Sequence, residues 1–485
     1  MSSVRQLTTD VVVVGAGPVG LLLAGELRLG GVDVVVVERL ASPHDESRAS
    51  QLSARTMEML DQRGLVERLG GAPNVRPPRE EVGHFGGLPL AVGGVASPYA
   101  GHWKVPQTDT EALLGTWAVQ LGAVVRRRHE LVALEVHDDH VAATVTAPDG
   151  TSTLRCSYLV GCDGQDSTVR RLAGIAFPGT DATRELLRGD VAGIDVPNRR
   201  FERLPGGLAI AARRPDGVTR LMVHEAGRAP AGRDPTFAEL AGAWRRVTGE
   251  DVSSGTPRWL NAFDNVTRKA AEYRRGRVLL AGDAAHRQMP IGGQALNSGL
   301  GDAFNLGWKL AAVVQGSTAL DLLDSYHDER HPVGAAVQDD VRAQELLLLG
   351  SADLDPLRAV LGELLALPAA RDQLAAVVSG VDVRYPADPD DHPLVGTRLP
   401  PCSWWDPTRH HGLLLGCGVD VADVPWGDRV RAVPGLGVAG LDAGDLVLVR
   451  PDGHVAWVGS GDDAAGLEAA LTRWFGAPVV AGSRR

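Results

Sequence analysis

The 485-residue sequence predicts an α/β protein built on a doubly wound, mainly parallel sheet, and three stretches carry that expectation. Val11 to Val14 runs into Gly15, Tyr158 to Gly161 runs into Asp163-Gly164, and Val278 to Leu280 runs into Gly282-Asp283. A strand buried on both faces needs a short continuous apolar run of this kind. The turn at its carboxyl end is where such a sheet binds ligands.

The first run is followed at once by Gly15-Ala16-Gly17-Pro18-Val19-Gly20, a Gly-x-Gly-x-x-Gly turn entering a helix. Gly15 permits the tight turn, Gly17 lets backbone N–H groups approach a pyrophosphate, and Gly20 lets the helix lie close to the strand. The positive end of the helix, opened by Pro18, then faces the phosphates. Leu21, Leu22, Ala24, Gly25, Leu27 and Leu29 make that helix apolar on most sides. Val34 to Val37 is a second buried strand with Glu38 at its tip, eighteen residues beyond Gly20, and Arg39 next to it. A carboxylate at this spacing reaches a ribose hydroxyl. Strand, helix, strand and acid together within about thirty residues read as a dinucleotide site, although NAD and FAD use the same device.

The second and third runs end in Asp163-Gly164, followed by Gln165 to Arg170, and in Gly282-Asp283-Ala284-Ala285-His286, followed by Pro290-Ile291-Gly292-Gly293-Gln294-Ala295-Leu296-Asn297. A helix comes next, with Leu300, Phe304, Trp308 and Ala311 on one face, ending near Gly316. The order of the three motifs resembles the class A FAD-dependent aromatic hydroxylases over roughly residues 8 to 335. The run from Gly282 to Leu310 is most similar to the branch that hydroxylates aromatic polyketides.

The resemblance implies a non-covalent FAD with Gly15, Gly17, Pro18 and Gly20 at its pyrophosphate, Glu38 on the adenosine ribose and Arg39 beside it. Arg48 matches an arginine near the pyrophosphate, Gln107 a glutamine that contacts the flavin side chain, and Asp283 the acid of the ribityl or pyrophosphate region. The Asp163 segment is expected to touch both FAD and the passing nicotinamide cofactor. Pro290, Gly292, Gly293, Ala295, Leu296 and Asn297 are expected along the flavin ring. Pro290, Gly292 and Gly293 form the catalytic segment, with no side chain assigned as a base. Many relatives carry glycine where this chain has Ala295, so the turn must tolerate a Cβ here. His286 reads as structural.

The activity so implied is hydroxylation of a polycyclic aromatic polyketide, of anthracycline or angucycline type, in antibiotic biosynthesis. NADPH or NADH would reduce the flavin, and O₂ would then form a C4a-hydroperoxide that delivers its distal OH. Backbone N–H groups from Gly292 to Asn297 offer a site for the anionic edge of reduced flavin. A helix end contributes only about 0.3–1 kcal/mol there, so most of the chemical power belongs to the cofactor.

Around this core, Arg79 to Lys104 and Leu187 to Phe263 show short alternating runs between Gly/Pro-rich turns, the pattern of an inserted antiparallel sheet that would form the far wall of the substrate pocket. The chain then reads as helical from about Pro332 to Gly380, followed by a Pro/Asp-rich linker at Arg384 to Pro393. Leu413 to Leu415, a hairpin of Leu446 to Val449 and Val455 to Val458, and a helix with Leu467, Leu471 and Trp474 on one face resemble the thioredoxin-like tail of phenol hydroxylases. The Cys-x-x-Cys of redox thioredoxins is missing. The expected fold is therefore a Rossmann-like FAD-binding domain (1–78, 105–186 and 264–392, with a helical extension), an inserted antiparallel-sheet substrate domain (79–104 and 187–263) and a thioredoxin-like C-terminal domain (393–485).

Composition narrows the rest. A net charge of −11 disfavours nucleic acid as a partner, because phosphates would be repelled before any specific contact formed. Cys156, Cys162, Cys402 and Cys417 are scattered, which suggests reduced thiols and no metal. No run approaches the roughly 20 apolar residues of a membrane span, and the start lacks signal-peptide character, so a cytoplasmic monomer or homodimer is expected. Lysine occurs only at 104, 269 and 309 against abundant Arg, Ala, Gly and Val, a hint of GC-rich coding that suits a bacterial secondary-metabolite enzyme. Three alternatives stay open: a Baeyer–Villiger or epoxidising flavin enzyme, a non-catalytic flavin sensor, and a flavin halogenase, the last weakened by the absence of Trp-x-Trp.

Overall fold

The computed structural model describes residues 6–43, 49–70, 76–400, 405–421, 424–436 and 440–478. The parallel part of the first sheet runs, in spatial order, Val278–Leu280, Gly150–Gly161, β1 (Gln6–Val14), β2 (Val34–Glu38) and Val124–Arg127. Val11, Val12, Val13, Val36, Leu159, Val160 and Leu279 are all fully buried, because helices and loops cover both faces. Register then fixes the functional edge. Val14 lies opposite both Gly161 and Val37, and Gly161 lies opposite Leu280. Gly15, Glu38, Cys162-Asp163 and Gly282-Asp283 therefore leave the sheet along one line, the carboxyl edge at which doubly wound folds bind ligands.

Among the described residues ten α-helices surround the strands: α1 (Pro18–Leu29), α2 (Ala54–Asp61), α3 (Gln107–Gln120), α4 (Thr168–Leu172), α5 (Phe237–Thr248), α6 (Gln294–Val314), α7 (Asp324–Leu349), α8 (Asp355–Leu365), α9 (Pro368–Ser379) and α10 (Ala464–Phe475). The first, α1, packs against both α3 and α6. Pro332 lies inside α7, so the helical region begins before that proline rather than after it. No helix among the described residues is long and apolar enough to cross a membrane.

A five-stranded antiparallel sheet, in the order Arg199–Leu204, Gly207–Arg213, Val218–Glu225, Glu185–Ala192 and Thr256–Asp264, shows period-two sidedness. Leu187, Val191, Ala209, Ala211, Leu221 and Val223 pack on Leu240, Trp244 and Val247 of α5. That helix is set by a capping box of Thr236 with Glu239 and closed by a left-handed Gly249. The alternate residues Leu186, Leu208, Ile210, Met222 and Phe263 face the other way, onto Met289, Ile291, Val337, Val341 and Leu348.

Residues 79–104 correct the expectation that they join this sheet. Arg79–Glu80 pairs only with His102–Trp103, and Val82–Phe85 pairs only with Leu88–Ala91. The hairpin instead buries Phe85 and Leu90 against Leu347 of α7, Leu365 of α8 and Val378 of α9, and it meets the edge strand of the sheet through side chains, Arg200 donating to the Val82 and Gly83 carbonyls.

The C-terminal unit has a four-stranded sheet in the order Val430–Leu436, Gly412–Cys417, Asp445–Val449 and Val455–Ser460, the first pair parallel and the others antiparallel, with α10 packed on it. This is the thioredoxin-like arrangement. Cys402 lies outside the described residues, and Cys417 is buried in the second strand of that order. The turn Arg450–His454 inserts into the larger unit. Arg450 bonds both carboxylate oxygens of Glu329, Asn305 donates to Glu329 (2.7 Å) and Asp452 (3.1 Å), and Lys309 donates to Glu329 (2.7 Å). Two cations and two carboxylates thus neutralise one another in a buried network, which such burial demands.

Candidate functional site

Gly15 has φ +106°, and a Cβ on it would fall 2.3 Å from the carbonyl oxygen of Cys162, so only glycine fits where β1 passes the neighbouring strand end. At Gly20 a Cβ would stand 2.1 Å from the Gly15 carbonyl. Gly17 is different: it is the N-cap of α1, makes no side-chain cap, and has nothing within 4 Å of an added Cβ. Pro18, in the first turn, gives up an N–H that would have no helical partner. An uncapped helix start with open space above it is what a pyrophosphate requires.

Glu38 stands beside this turn. Its Oε2 accepts the Ala16 N–H and its Oε1 the Leu40 N–H, both at 2.8 Å. Each oxygen keeps a lone pair for a ribose hydroxyl. Arg39 is exposed next to it. Asp283 is exposed at the same edge while its neighbours Gly282 and Ala284 are buried, so its side chain projects out of the strand end.

Arg48 lies outside the described residues. Gln107, at the start of α3, grips the chain just beyond it: its N–H donates to the Ala49 carbonyl (2.9 Å) and its Oε1 accepts the Ala49 N–H (3.2 Å). Asp163 has a task that sequence reasoning did not foresee. Its carboxylate accepts from Ser167 Oγ (2.5 Å), Thr168 N–H (2.7 Å) and Val169 N–H (3.1 Å), capping α4. Burial pushes its pKa up while those hydrogen bonds pull against the rise. The segment stays at the functional edge, but the acid itself is committed to the helix start.

The loop before α6 contains the other helix start. Pro290 is exposed, Gly292 and Gly293 adopt φ +72° and +69°, and α6 begins at Gln294 with no side-chain cap. Ala295 sits in the first helical turn, so its Cβ meets no conformational penalty; the left-handed positions are the two glycines before it. Leu296 is half-buried. The Asn297 side chain, expected along the flavin, is instead saturated by protein. Its Oδ1 accepts from Ser53 N–H (2.9 Å) and Thr56 Oγ1 (2.7 Å), and its Nδ2 donates to the carbonyls of Gly293 (2.7 Å) and Gln51 (3.3 Å). It braces the glycine turn against α2.

Sequence reasoning missed a buried cluster beneath these segments. Asp302 accepts the Gly282 N–H (3.0 Å), His286 Nε2 (2.7 Å) and Arg330 Nε (2.8 Å). His286 is thus structural, as read. A visible signal existed: Ser298, Asp302, Asn305 and Lys309 form a polar stripe at helical spacing in an otherwise apolar helix.

These residues fit FAD: one uncapped helix end for the pyrophosphate, a second for the ring edge, and Glu38 and Asp283 on the same sheet edge. Comparison with known proteins agrees. Residues 8–341 match the family described as FAD binding domain, and residues 392–478 match the aromatic-ring hydroxylase C-terminal family. A 12-dehydrotetracycline 5-monooxygenase/anhydrotetracycline 6-monooxygenase of Streptomyces rimosus is 40% identical over 97% of this chain and 99% of its own. A dialkyldecalin synthase of Streptomyces rugosporus is also 40% identical, over 97% and 99%. The solved structure of CabE, an aromatic hydroxylase from angucycline biosynthesis, superposes with a TM-score of 0.89 at 43% identity, covering 97% of this chain and 99% of that one. The chain belongs to the FAD-dependent aromatic-ring hydroxylases and is a flavoprotein monooxygenase of their aromatic-polyketide branch.

Proposed function

We propose that this enzyme uses NADPH or NADH and O₂ to hydroxylate a polycyclic aromatic polyketide of anthracycline or angucycline type in antibiotic biosynthesis, working in the cytoplasm. The observation that supports this substrate class is the second face of the antiparallel sheet. On that face the half-buried Ile210, Met222 and Phe263 form an apolar wall that meets the half-buried Ile291, between Pro290 and the glycine pair. A flat apolar ring system is the ligand that such a wall and such a turn would hold between them.

Bound FAD would supply the activation of O₂ and the transfer of its oxygen. The protein's part is positional. The N–H groups at the start of α6 would stabilise negative charge on the ring edge, worth up to about 2 kcal/mol when partly buried. Gly15, Gly17, Pro18 and Gly20 would hold the pyrophosphate, Glu38 with Arg39 nearby the ribose, and Asp283 the ribityl or pyrophosphate region, with Gln107 contributing from the start of α3 and Arg48, by the family resemblance, near the pyrophosphate. Pro290, Gly293, Ala295, Leu296 and the Asn297 backbone would line the ring, and the apolar wall would exclude water.

The test is turnover of the purified chain with FAD, either nicotinamide cofactor and ¹⁸O₂ over a panel of anthracycline- and angucycline-type aromatics. One ¹⁸O atom on a ring carbon supports hydroxylation, whereas insertion beside a carbonyl or across a double bond replaces it with Baeyer–Villiger or epoxidising chemistry. A tightly held flavin that is never reduced supports a sensor. A second reading has its own support, since a relative as similar as the tetracycline monooxygenase is named a dialkyldecalin synthase. Product of unchanged mass, formed without reductant, would identify that cyclising role.

A further inference from the structure

We propose that Asp302, in the third turn of α6, is a positioning residue that sets the distance between the two flavin-holding segments, the Gly282-Asp283 turn and the start of α6. The inference rests on the assignment of those segments to FAD. Asp302 Oδ2 takes the Gly282 N–H at 3.0 Å together with His286 Nε2 at 2.7 Å, and Oδ1 takes Arg330 Nε at 2.8 Å. Arg330 in turn donates to the Ser298 carbonyl at 3.0 Å, inside α6. The carboxylate thus ties the strand end that presents Asp283 to the helix whose first turn follows Gly293.

Burial supports the assignment. Asp302, His286 and Arg330 are 1%, 1% and 3% exposed, so the tie is made without solvent competition. Burial by itself would raise the Asp302 pKa, but Arg330 and His286 outweigh it and hold the group below the ordinary carboxylate range. The anion is therefore the resident form, and it accepts from three donors, two in the Gly282–His286 run and one in α7. A side chain serving only helix packing would not need to reach the one backbone N–H that precedes Asp283.

Asp302→Asn keeps the shape but turns one acceptor oxygen into a donor that must face His286, Gly282 or Arg330, all of them donors in the native arrangement. Apoprotein and holoprotein should be compared with Tyr326→Phe, which deletes another buried hydrogen bond, from the Tyr326 hydroxyl to the Leu280 carbonyl at 2.7 Å on the same strand, without touching the turn. Asp302→Asn is expected to weaken FAD binding by about tenfold or more, the loss of a charge-assisted bond, and to alter the visible band shape of the bound flavin. Tyr326→Phe is expected to lower the apoprotein melting temperature while leaving affinity and spectrum nearly unchanged. Equal affinities and identical flavin spectra for the two variants would overturn the proposal. If Asp302→Asn does not fold, Arg330→Lys, which keeps the charge and removes the guanidinium bridge, is read the same way, and wild-type affinity with a wild-type spectrum overturns it. Asp283→Ala in the same series separates the two claims. FAD retained by Asp283→Ala refutes the flavin assignment, whereas FAD lost there but held normally by Asp302→Asn refutes the positioning role alone.

Discussion

Glu38 and Ala16 meet across the glycine turn, the Ala16 N–H donating to Glu38 Oε2 at 2.8 Å. The acid at the tip of β2 therefore shapes the turn that leaves β1 before any ligand arrives. An acceptor already fixed by two backbone donors loses little freedom when a ribose hydroxyl joins it, which is how preorganisation converts contacts into affinity.

Glu38→Gln tests this arrangement. The amide can keep one backbone donor but turns its NH₂ toward the other, and it surrenders the charge that strengthens a hydroxyl contact. Hydrogen bonds to charged groups are worth about 1.5–3 kcal/mol, so FAD affinity is expected to fall roughly 10- to 100-fold by fluorescence titration. Unchanged affinity would show that the ribose is held elsewhere.

The two glycines before α6 and the alanine after them make opposite predictions. Gly293 has φ +69°, and a Cβ there would also lie 3.2 Å from Gln51 Nε2. Gly293→Ala is expected to cost about 1–2 kcal/mol from the left-handed backbone alone and to slow turnover, because the turn carries the start of α6. Ala295→Gly changes a helical position and is expected to keep flavin and activity, losing at most about 1 kcal/mol of stability. A thermal melt and a turnover assay on the pair decide the matter, and equal effects would mean that the turn does not govern the reaction.

The carboxyl edge was legible because buried parallel strands announce themselves: Val11 to Val14 and Val278 to Leu280 admit little else, and their glycine turns follow from where they stop. What residues 79–104 pair with was not legible, since alternation reports a half-buried strand but not its neighbour. Asp302 and Arg330 are 28 residues apart on different helices, and their contact depends on how α6 and α7 pack. The direction of the Asn297 side chain was hidden for the same reason: a helix start is visible in sequence, but the loop that closes over it is not.

Arg450 reaches from the C-terminal unit to Glu329 of α7 and is 2% exposed. Arg450→Met would leave Glu329 and Asp452 facing one another with only the Lys309 ammonium on Glu329 and the Arg55 guanidinium on the Asp452 carbonyl among the described residues to offset them. Removing one member of a buried ionic network typically costs about 3–5 kcal/mol, so a large drop in the urea midpoint is expected. Loss of flavin together with stability would show that the C-terminal unit supports α6, whereas a variant as stable as the wild type would show that the network contributes no net stability.

Acid should weaken the fold in two stages. Burial, only partly opposed by Asp452 and reinforced by Arg55 and Arg450, lowers the pKa of His454 from 6.5 to about 4, and burial with Lys104 nearby does the same to His102. Each is neutral in the folded chain at pH values where the unfolded chain is already protonated. Their contribution is complete above 6.5 and disappears as the pH falls toward 4, by up to about 3 kcal/mol per histidine. Glu329 follows at lower pH. Burial would raise it, but Arg450 and Lys309 bring it to about 2 from 4.5, so its contribution is present above 4.5 and lost between 4.5 and 2. Urea midpoints measured from pH 7.5 down to 3 should decline first between 6.5 and 4 and again below 4.5. His454→Asn, which cannot take up the proton, should flatten the first decline; an unchanged slope between pH 6.5 and 4 in that variant would show that the buried imidazole is not what makes the fold acid-sensitive.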